Sequence, residues 1–258
     1  HLKILSIIAF FWFFIPYIGT RLQKDKAQKV AYFLAFLIIF LELYLYIYRE
    51  ITGLFDPHSN IPIHLCSFAE FAGAFALWKK NQRAFELAFF WSFAACIQAL
   101  FTPDVSSYAL FDTEFNIFFI SHGLILLNVI WLLNVNQMKI RSTSLKETFF
   151  ITNLLLIPVG LIDWITNSNY MYLREKPPVN NPLLIGDWPF YILGFEFIAF
   201  NKSTPETILK LIREKSISSI PETAQMIAGF RLIPDEWMNN IDLRYDRYRW
   251  VYDEVKIE

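Results

Sequence analysis

The stretch FNIFFISHGLILLNVIWLL, residues 115–133, carries no Asp, Glu, Lys or Arg side chain. A hydrocarbon layer of roughly 30 Å is crossed by about 20 helical residues, so this stretch has the length and composition of a transmembrane helix. Six further apolar runs have the same character. The seven predicted spans are approximately 2–19, 27–48, 61–78, 84–101, 114–135, 147–166 and 186–200. The sequence therefore predicts an all-α polytopic membrane protein with seven transmembrane helices.

The overall composition supports this class. Of the 258 residues, 55% are hydrophobic, and the mean hydropathy is +0.35, both above the norm of soluble domains. The first run lacks the basic start and the small-residue cleavage site of a signal peptide, so we expect it to remain a spanning helix. A net charge of −1 without any long block of like charges argues against a nucleic-acid partner. Both cysteines fall inside apolar runs, which argues against an extracellular disulfide framework.

Lys and Arg side chains are distributed unevenly between the two sides of the predicted bundle. Ten follow the first, third and fifth spans, and four lie on the other side. The ten are Arg21, Lys24, Lys26, Lys29, Lys79, Lys80, Arg83, Lys139, Arg141 and Lys146, and the four are Lys3, Arg49, Arg174 and Lys176. Cytoplasmic loops carry the excess of positive charge, so we expect an extracytoplasmic amino terminus and a cytoplasmic carboxyl terminus.

Residues 201–258 differ in composition from the rest of the chain. They contain nine Lys or Arg and ten Asp or Glu, and no apolar run long enough to span a bilayer. Thr204 before Pro205 and Glu206 is a helix-start signal. We therefore predict two parts, a transmembrane domain over 1–200 and a soluble, helical cytoplasmic tail over 201–258.

The first candidate for chemistry is Cys66, within IPIHLCSFAEFAGAFALW at 61–78. Asn60 and Pro62 indicate a helix start, which would put Cys66 about one turn inside the third span. The positive end of the helix dipole favours the thiolate, which is the nucleophilic form. A free cysteine is also commonly a small buried apolar residue, and we interpret Cys96 in this way.

His122 is the second candidate, because ionisable groups inside a bilayer usually face the protein interior or an aqueous cavity. At 1.5 Å per residue it lies roughly 12 Å along the fifth span, a depth comparable with that of Cys66. The side chains of Cys66 and His122 can therefore form a pair across the third and fifth helices. A lone intramembrane histidine is, however, often a hydrogen-bonded structural residue. Gly123, next to it, would let another helix or a lipid chain approach closely.

Two more polar residues lie in the third span. His64 is two positions from Cys66, so the two cannot share a face of a regular helix, and we expect His64 to orient another group or to bind a head group. Glu70 is one turn beyond Cys66 on the same face, placed to orient a histidine or to pair internally. His58, in the preceding extracytoplasmic loop, is expected to be solvated.

Metal binding is a competing interpretation of the same residues. The side chains of His64, Cys66, His122 and Asp163 are acceptable ligand types. The sequence contains no two-ligand spacing such as C-x-x-C or H-x-x-x-H. We therefore predict neither a metal nor another cofactor.

Three stretches of the chain resemble a known family. They are IPIHLCSFAEF (61–71), LFTPDV with FFISHGLIL (100–126), and NSNYMYLREKP with GDWPFYIL (167–193). Together they resemble the YwaF-like family of conserved bacterial integral membrane proteins, over residues 1–200. That family is similar to transmembrane protein 164 of animals, an acyltransferase that moves fatty acyl chains between phospholipids. It is more distantly similar to the androgen-induced and androgen-dependent membrane hydrolases of lipid esters.

The resemblance implies a lipid acyltransferase of the bacterial plasma membrane, with a membrane lipid as substrate. It assigns Cys66 as nucleophile and His122 as base. An oxyanion donor is also required, and the candidates are Asn169, Tyr170, Tyr172 and the amides at a helix start. Arg174 and Lys176 are placed to hold a phosphate head group, or to act as ordinary interfacial anchors.

Two other functions stay open at this point. One is a lipid-ester hydrolase that uses the same Cys66 and His122 pair. The other is a carrier or sensor of lipids or small molecules without covalent chemistry, in which His64, Glu70, His122 and Asp163 line a polar cavity.

Overall fold

The computed structural model describes residues 2–103, 112–176 and 188–192. Throughout these ranges the regular secondary structure is helical, and no strand occurs in them, which confirms the all-α prediction there. The helices are α1 (Leu2–Gly19), α2 (Lys24–Thr52), α3 (Leu65–Lys79), α4 (Gln82–Phe101), α5 (Thr113–Asn134) and α6 (Ser144–Thr166). A short 3-10 turn, Tyr170–Tyr172, follows α6.

Five of these helices, α1, α2, α4, α5 and α6, are long and apolar enough to cross a membrane. They correspond to the first, second, fourth, fifth and sixth predicted spans, and the protein is accordingly an integral membrane protein. The seventh predicted span, 186–200, lies outside the described residues apart from 188–192, and the predicted tail lies wholly outside them. The total of seven spans and the tail therefore stay predictions.

Helix α3 is shorter than the third predicted span. It has 15 residues, which at 1.5 Å per residue give about 22 Å, less than the roughly 30 Å of a hydrocarbon layer. The helix begins at Leu65, whereas Asn60 and Pro62 predicted an earlier start. The start is later because contacts with another part of the chain hold the residues before Leu65 in a non-helical conformation. The Ile61 backbone N–H donates to the Tyr170 hydroxyl at 3.0 Å, and His64 has extended backbone angles.

Charged contacts join the helices at both ends of the bundle. At one end, the Arg49 guanidinium of α2 donates two hydrogen bonds, of 2.8 and 3.0 Å, to the Glu114 carboxylate in the first turn of α5. At the other end, the buried Glu86 carboxylate of α4 accepts hydrogen bonds from Gln82 and from Arg141, which lies between α5 and α6. The end of α2 and the start of α5 were predicted to lie on the same side of the membrane. The start of α4 and the loop between α5 and α6 were predicted to lie on the other side, so both contacts agree with the predicted order of the spans.

Helices α1 and α5 approach closely at two glycines. The indole N–H of Trp12 donates to the Gly123 carbonyl at 2.8 Å, and a Cβ on Gly123 would lie 3.2 Å from Ile8. The close approach of a helix that was expected at Gly123 is thus confirmed. At Gly19, a Cβ would lie only 2.6 Å from the ring of Trp131, which is itself buried.

We expect Gly19→Ala to destabilise the protein by about 1–3 kcal/mol, because the added methyl group overlaps a buried ring that has no room to move. Thermal unfolding in a mild detergent measures the effect. Gly160→Ala, in α6, is the matched control, since its Cβ would meet Leu173 at an ordinary 3.8 Å. Equal unfolding temperatures for the wild type and Gly19→Ala would contradict this packing.

Candidate active site

Cys66, on α3, and His122, on α5, lie near each other in the bundle. They are close enough for each group to act on the charge of the other. Cys66 is partly exposed and is the second residue of α3, whereas His122 is the tenth residue of α5. The structure therefore brings together the two residues that were paired from the sequence. Their catalytic role stays a prediction.

The backbone fixes which nitrogen of His122 can act as a base. Nδ1 lies 2.8 Å from the carbonyl oxygen of Phe118, one turn earlier in α5. A carbonyl oxygen only accepts hydrogen bonds, so Nδ1 carries the proton of the neutral ring and Nε2 keeps its lone pair. The Phe118 ring packs against the imidazole, with centroids 4.3 Å apart, and further limits its rotation. Nε2 is thus the nitrogen that can take a proton from the thiol.

The beginning of α3 presents its backbone amides beside the thiol. The first backbone hydrogen bond of the helix runs from the Phe68 N–H to the His64 carbonyl, at 3.1 Å. No hydrogen bond from the His64 side chain caps the helix start. The N–H groups of the first turn therefore remain outside the helical pattern, and they carry the positive end of the helix dipole. These are the helix-start amides that were considered as oxyanion donors.

His64 lies closer to the pair than a regular helix would allow. Because α3 starts at Leu65, the argument that His64 and Cys66 point to opposite faces does not apply. The charge of His64 interacts with both Cys66 and His122. Its Nδ1 accepts a hydrogen bond from the Met171 N–H at 3.2 Å, and its ring packs against that of Tyr170 at 5.1 Å.

Tyr170 is fully buried and joins two loops. Its hydroxyl donates to the Pro57 carbonyl at 2.7 Å and accepts from the Ile61 N–H at 3.0 Å. Burial raises the pKa of Tyr170, so the hydroxyl keeps its proton for this bond at physiological pH. Since the proton is donated to Pro57, the hydroxyl is not free to act as the oxyanion donor. Tyr170 instead holds the segment before α3 against the turn after α6.

Asp163 supports the same turn. It is completely buried in α6, and its Oδ1 accepts a hydrogen bond from the Tyr170 N–H at 2.7 Å. Among the residues that the structure describes, no group of three or more His, Cys, Asp or Glu side chains is arranged to hold a metal ion.

The other predicted substrate contacts lie just after α6. Asn169 Oδ1 accepts hydrogen bonds from the backbone N–H groups of Arg174 and Glu175, both at 3.0 Å. The Arg174 guanidinium donates to Asn167 Oδ1 at 2.8 Å and to two backbone carbonyls. Together with the exposed His58, these residues line a shallow pocket of about 260 Å³.

Tyr172 and Lys176 complete the set predicted from the sequence. The Tyr172 ring lies 6.0 Å from that of His64, and its carbonyl accepts a hydrogen bond from the Tyr191 hydroxyl. Lys176 is partly exposed at the end of the described segment 112–176. The turn after α6 thus lies near His64, beside Cys66 and His122. These positions do not by themselves assign a substrate contact to Tyr172 or Lys176.

Glu70 is buried beside the pair without a cation among its interacting groups. Only 3% of it is exposed, and within the described part of the chain its Oε1 has no hydrogen-bond partner. The charged groups that act on it are those of Cys66 and of Glu42, on α2. In this arrangement Glu70 does not contact the histidine that it was thought to orient.

Two residues near the pair were missed from the sequence. Cys96 was interpreted as a buried apolar residue, and it is buried, but it lies near enough to Cys66 for each thiol to act on the charge of the other. Glu42 acts on the charge of His122 from α2. A carboxyl group in the apolar run 27–48 was a usable signal for Glu42. For Cys96 no such signal exists, because its proximity to Cys66 is a tertiary relation between residues of two different helices.

We expect Tyr170→Phe to lower the free energy of unfolding by about 1–3 kcal/mol, because it leaves the Pro57 carbonyl and the Ile61 N–H without a partner. The thermal unfolding temperature of the detergent-solubilised protein measures this loss. Tyr44→Phe is the control, since Tyr44 is exposed on α2 and loses only a surface hydroxyl. A Tyr170→Phe protein as stable as the control would show that the hydroxyl does not hold the two loops.

Comparison with known proteins gives one match. A family model described as the TMEM164 family matches residues 1–201. No curated protein matches the chain, and no solved structure matches it either.

Proposed function

Because the chain belongs to the TMEM164 family, we propose that it is a membrane-embedded lipid acyltransferase that acts through Cys66 and His122. The observation that carries the proposal is the proximity of a thiol and a histidine within a bundle of apolar helices. A thiol paired with an imidazole is a nucleophile with its base, which is the minimum that covalent acyl transfer requires.

The first half of the reaction forms a thioester. His122 Nε2 takes the proton of the Cys66 thiol, and the sulfur attacks the carbonyl carbon of a phospholipid ester. The bond between that carbon and the ester oxygen then breaks. His122 returns the proton to the departing oxygen, so that a lysophospholipid leaves and the acyl group remains on Cys66.

The second half passes the acyl group to an acceptor. A hydroxyl group of a second lipid gives its proton to His122 Nε2 and attacks the thioester carbon. The carbon–sulfur bond breaks, and the Cys66 sulfur regains a proton from His122. Because water is scarce between apolar helices, a lipid hydroxyl competes well with it, which favours acyl transfer over hydrolysis.

The start of α3 would stabilise the charge that develops in both halves. Each tetrahedral intermediate carries an oxyanion on the carbon bound to the sulfur, within reach of backbone amides in the same turn as Cys66. The positive end of the helix dipole favours negative charge there. Arg174 and Lys176 would hold the phosphate of the lipid at the predicted extracytoplasmic face.

A carrier or sensor is the second candidate function. It is favoured by the burial of Glu70, whose Oε1 has no partner in the described residues, beside a second carboxyl group at Glu42. Intramembrane carboxyl groups and imidazoles are typical of proton-linked transport as well as of catalysis. A carrier, however, needs no acylated cysteine.

The test is to incubate the purified full-length protein with phospholipid bearing isotope-labelled acyl chains and to search for the labelled acyl group on Cys66 by mass spectrometry. We expect an adduct that neutral hydroxylamine removes, as it does a thioester, together with labelled acyl chains on a second lipid. Labelled free fatty acid as the only product would instead identify a hydrolase. Absence of both the adduct and lipid turnover would contradict the enzymatic function and favour the carrier.

A further inference from the structure

A groove lies along α1 where this helix meets the end of α5. Its volume is about 680 Å³, within the usual range of ligand-binding pockets. The rings of Phe10, Phe13, Phe14 and Tyr17 line it, and all four side chains are exposed. The rings of Phe10 and Phe14 are stacked with their centroids 5.0 Å apart, so they form one apolar wall. The proposed acyl transfer uses none of these residues.

The lining of the groove changes from apolar to polar along its length. Near the end of α1 it consists of Thr20, Asn134 and Gln137, which are all exposed. From Phe10 to Gly19, the last residue of α1, the helix advances about 14 Å at 1.5 Å per residue. This length is close to half of a hydrocarbon layer of roughly 30 Å. The groove therefore has the length and the order of polarity of one lipid molecule within a single leaflet.

A cation lies beside the polar end of the groove. The guanidinium carbon of Arg21 is 4.1 Å from the centroid of the Tyr17 ring, which lines the groove. Within the part of the chain that the structure describes, no carboxylate forms an ion pair with Arg21. A guanidinium can lie against an aromatic ring and still present N–H donors that match the geometry of a phosphate group. Lys24, at the start of α2, is a second exposed cation only three residues away.

We propose that this groove binds an anionic phospholipid of the predicted cytoplasmic leaflet. One acyl chain lies against the rings of Phe10 and Phe14, and the phosphate accepts charge-assisted hydrogen bonds from Arg21. The ester groups of the lipid lie at the level of Asn134, whose side-chain amide can donate to them. Basic sites between helices on the cytoplasmic side of a membrane are typical binding places of anionic head groups.

The groove is separate from the candidate active site. Asn134 lies twelve residues beyond His122 on α5, which corresponds to about 18 Å along the helix. Trp12 also lines the groove, and its indole N–H donates to the Gly123 carbonyl of α5. A lipid in the groove therefore contacts α1 and α5 where they pack together, and it supports this packing. The proposal does not depend on the proposed acyl transfer.

The test measures lipid binding to the purified, delipidated full-length protein by native mass spectrometry. Phosphatidylglycerol, which is anionic, and phosphatidylcholine, which is zwitterionic, are titrated separately with identical acyl chains. We expect phosphatidylglycerol to bind about fivefold more tightly, the effect of about one unit charge near the membrane surface. In Arg21→Ala we expect the affinity for phosphatidylglycerol to fall about tenfold, the low end for a hydrogen bond to a charged group. Arg83→Ala is the matched control, because it removes the same charge on the same predicted side from α4, which does not line the groove.

A phosphatidylglycerol with a photoreactive diazirine in its acyl chain locates the bound lipid. After irradiation we expect the label in the peptide that contains Phe10 to Tyr17, and less of it in Arg21→Ala. Equal affinities of the two lipids overturn the proposal, and so do equal losses in Arg21→Ala and Arg83→Ala, which would indicate a general effect of surface charge. Label confined to other helices also overturns it, and would mean that another segment or a second copy of the chain covers the groove.

Discussion

Cys66→Ala is expected to reduce acyl transfer by about 10³-fold or more, because removing the nucleophile of a covalent mechanism removes the intermediate itself. The protein should remain folded. Replacing a thiol by a hydrogen leaves only a small cavity, which typically costs about 1 kcal/mol of stability. Loss of turnover with an almost unchanged unfolding temperature would separate a chemical role from a structural one.

The measurement is the transfer of labelled acyl chains between phospholipids, with the unfolding temperature recorded on the same samples. Cys96→Ala is not a neutral control, since Cys96 lies near enough to Cys66 to act on its charge. Ser6→Ala is better suited, because Ser6 is an exposed polar residue on α1 whose hydroxyl donates to the Leu2 carbonyl in its own helix. Undiminished lipid remodelling by the Cys66→Ala protein would end the covalent mechanism and favour the carrier.

His122→Ala is expected to slow formation of the acyl adduct by about 10²- to 10⁴-fold at neutral pH, the usual contribution of a positioned base. Without Nε2 beside it, the thiol must lose its proton to solvent. An ordinary thiol ionises near pH 8.5, so raising the pH should restore part of the rate in this variant. The wild type has its own base and should gain much less from the same change.

The adduct on Cys66 is followed over time by mass spectrometry between pH 6.5 and pH 9.5, a range chosen to bracket about pH 8.5. Ser6→Ala serves again as the control, because its exposed hydroxyl on α1 bonds within its own helix and the change leaves the imidazole in place. A His122→Ala protein with the wild-type rate at neutral pH would exclude His122 as the base. An equally slow rate at every pH would mean that the substitution affects more than proton transfer.

The long apolar helices could be predicted closely from the sequence. Helix α1 runs from Leu2 to Gly19 where 2–19 was predicted, and α5 spans Thr113–Asn134 where 114–135 was predicted. Uniformly apolar composition and length are properties of the segment itself. The start of α3 could not be placed in this way, because the contacts of Ile61 with Tyr170 and of His64 with Met171 join residues more than 100 positions apart.

In the candidate site, too, features of a single segment could be predicted from the sequence, whereas contacts between distant segments could not. Cys66 and His122 stand out because a thiol and an imidazole are unusual inside apolar runs, and the resemblance to a family added their roles. The proximity of Cys96 to Cys66 could not be anticipated, since it depends on how two different helices pack together. Glu42 could have been found as an acidic residue in the second span. Tyr170 was selected from the sequence, but its hydrogen bonds give it a structural position.

The position at which α3 begins also affects how favourable the interior of the bundle is for cations. Cys66 lies near His122, the tenth residue of α5, and nine residues at 1.5 Å each put the start of α3 about 14 Å below the start of α5. That depth is close to the middle of a layer of roughly 30 Å. The positive ends of half-helices exclude cations and protons from membrane channels, and the start of α3 carries the same charge. A cation that approached Glu70 from the side on which α5 begins would therefore meet an unfavourable charge at the start of α3.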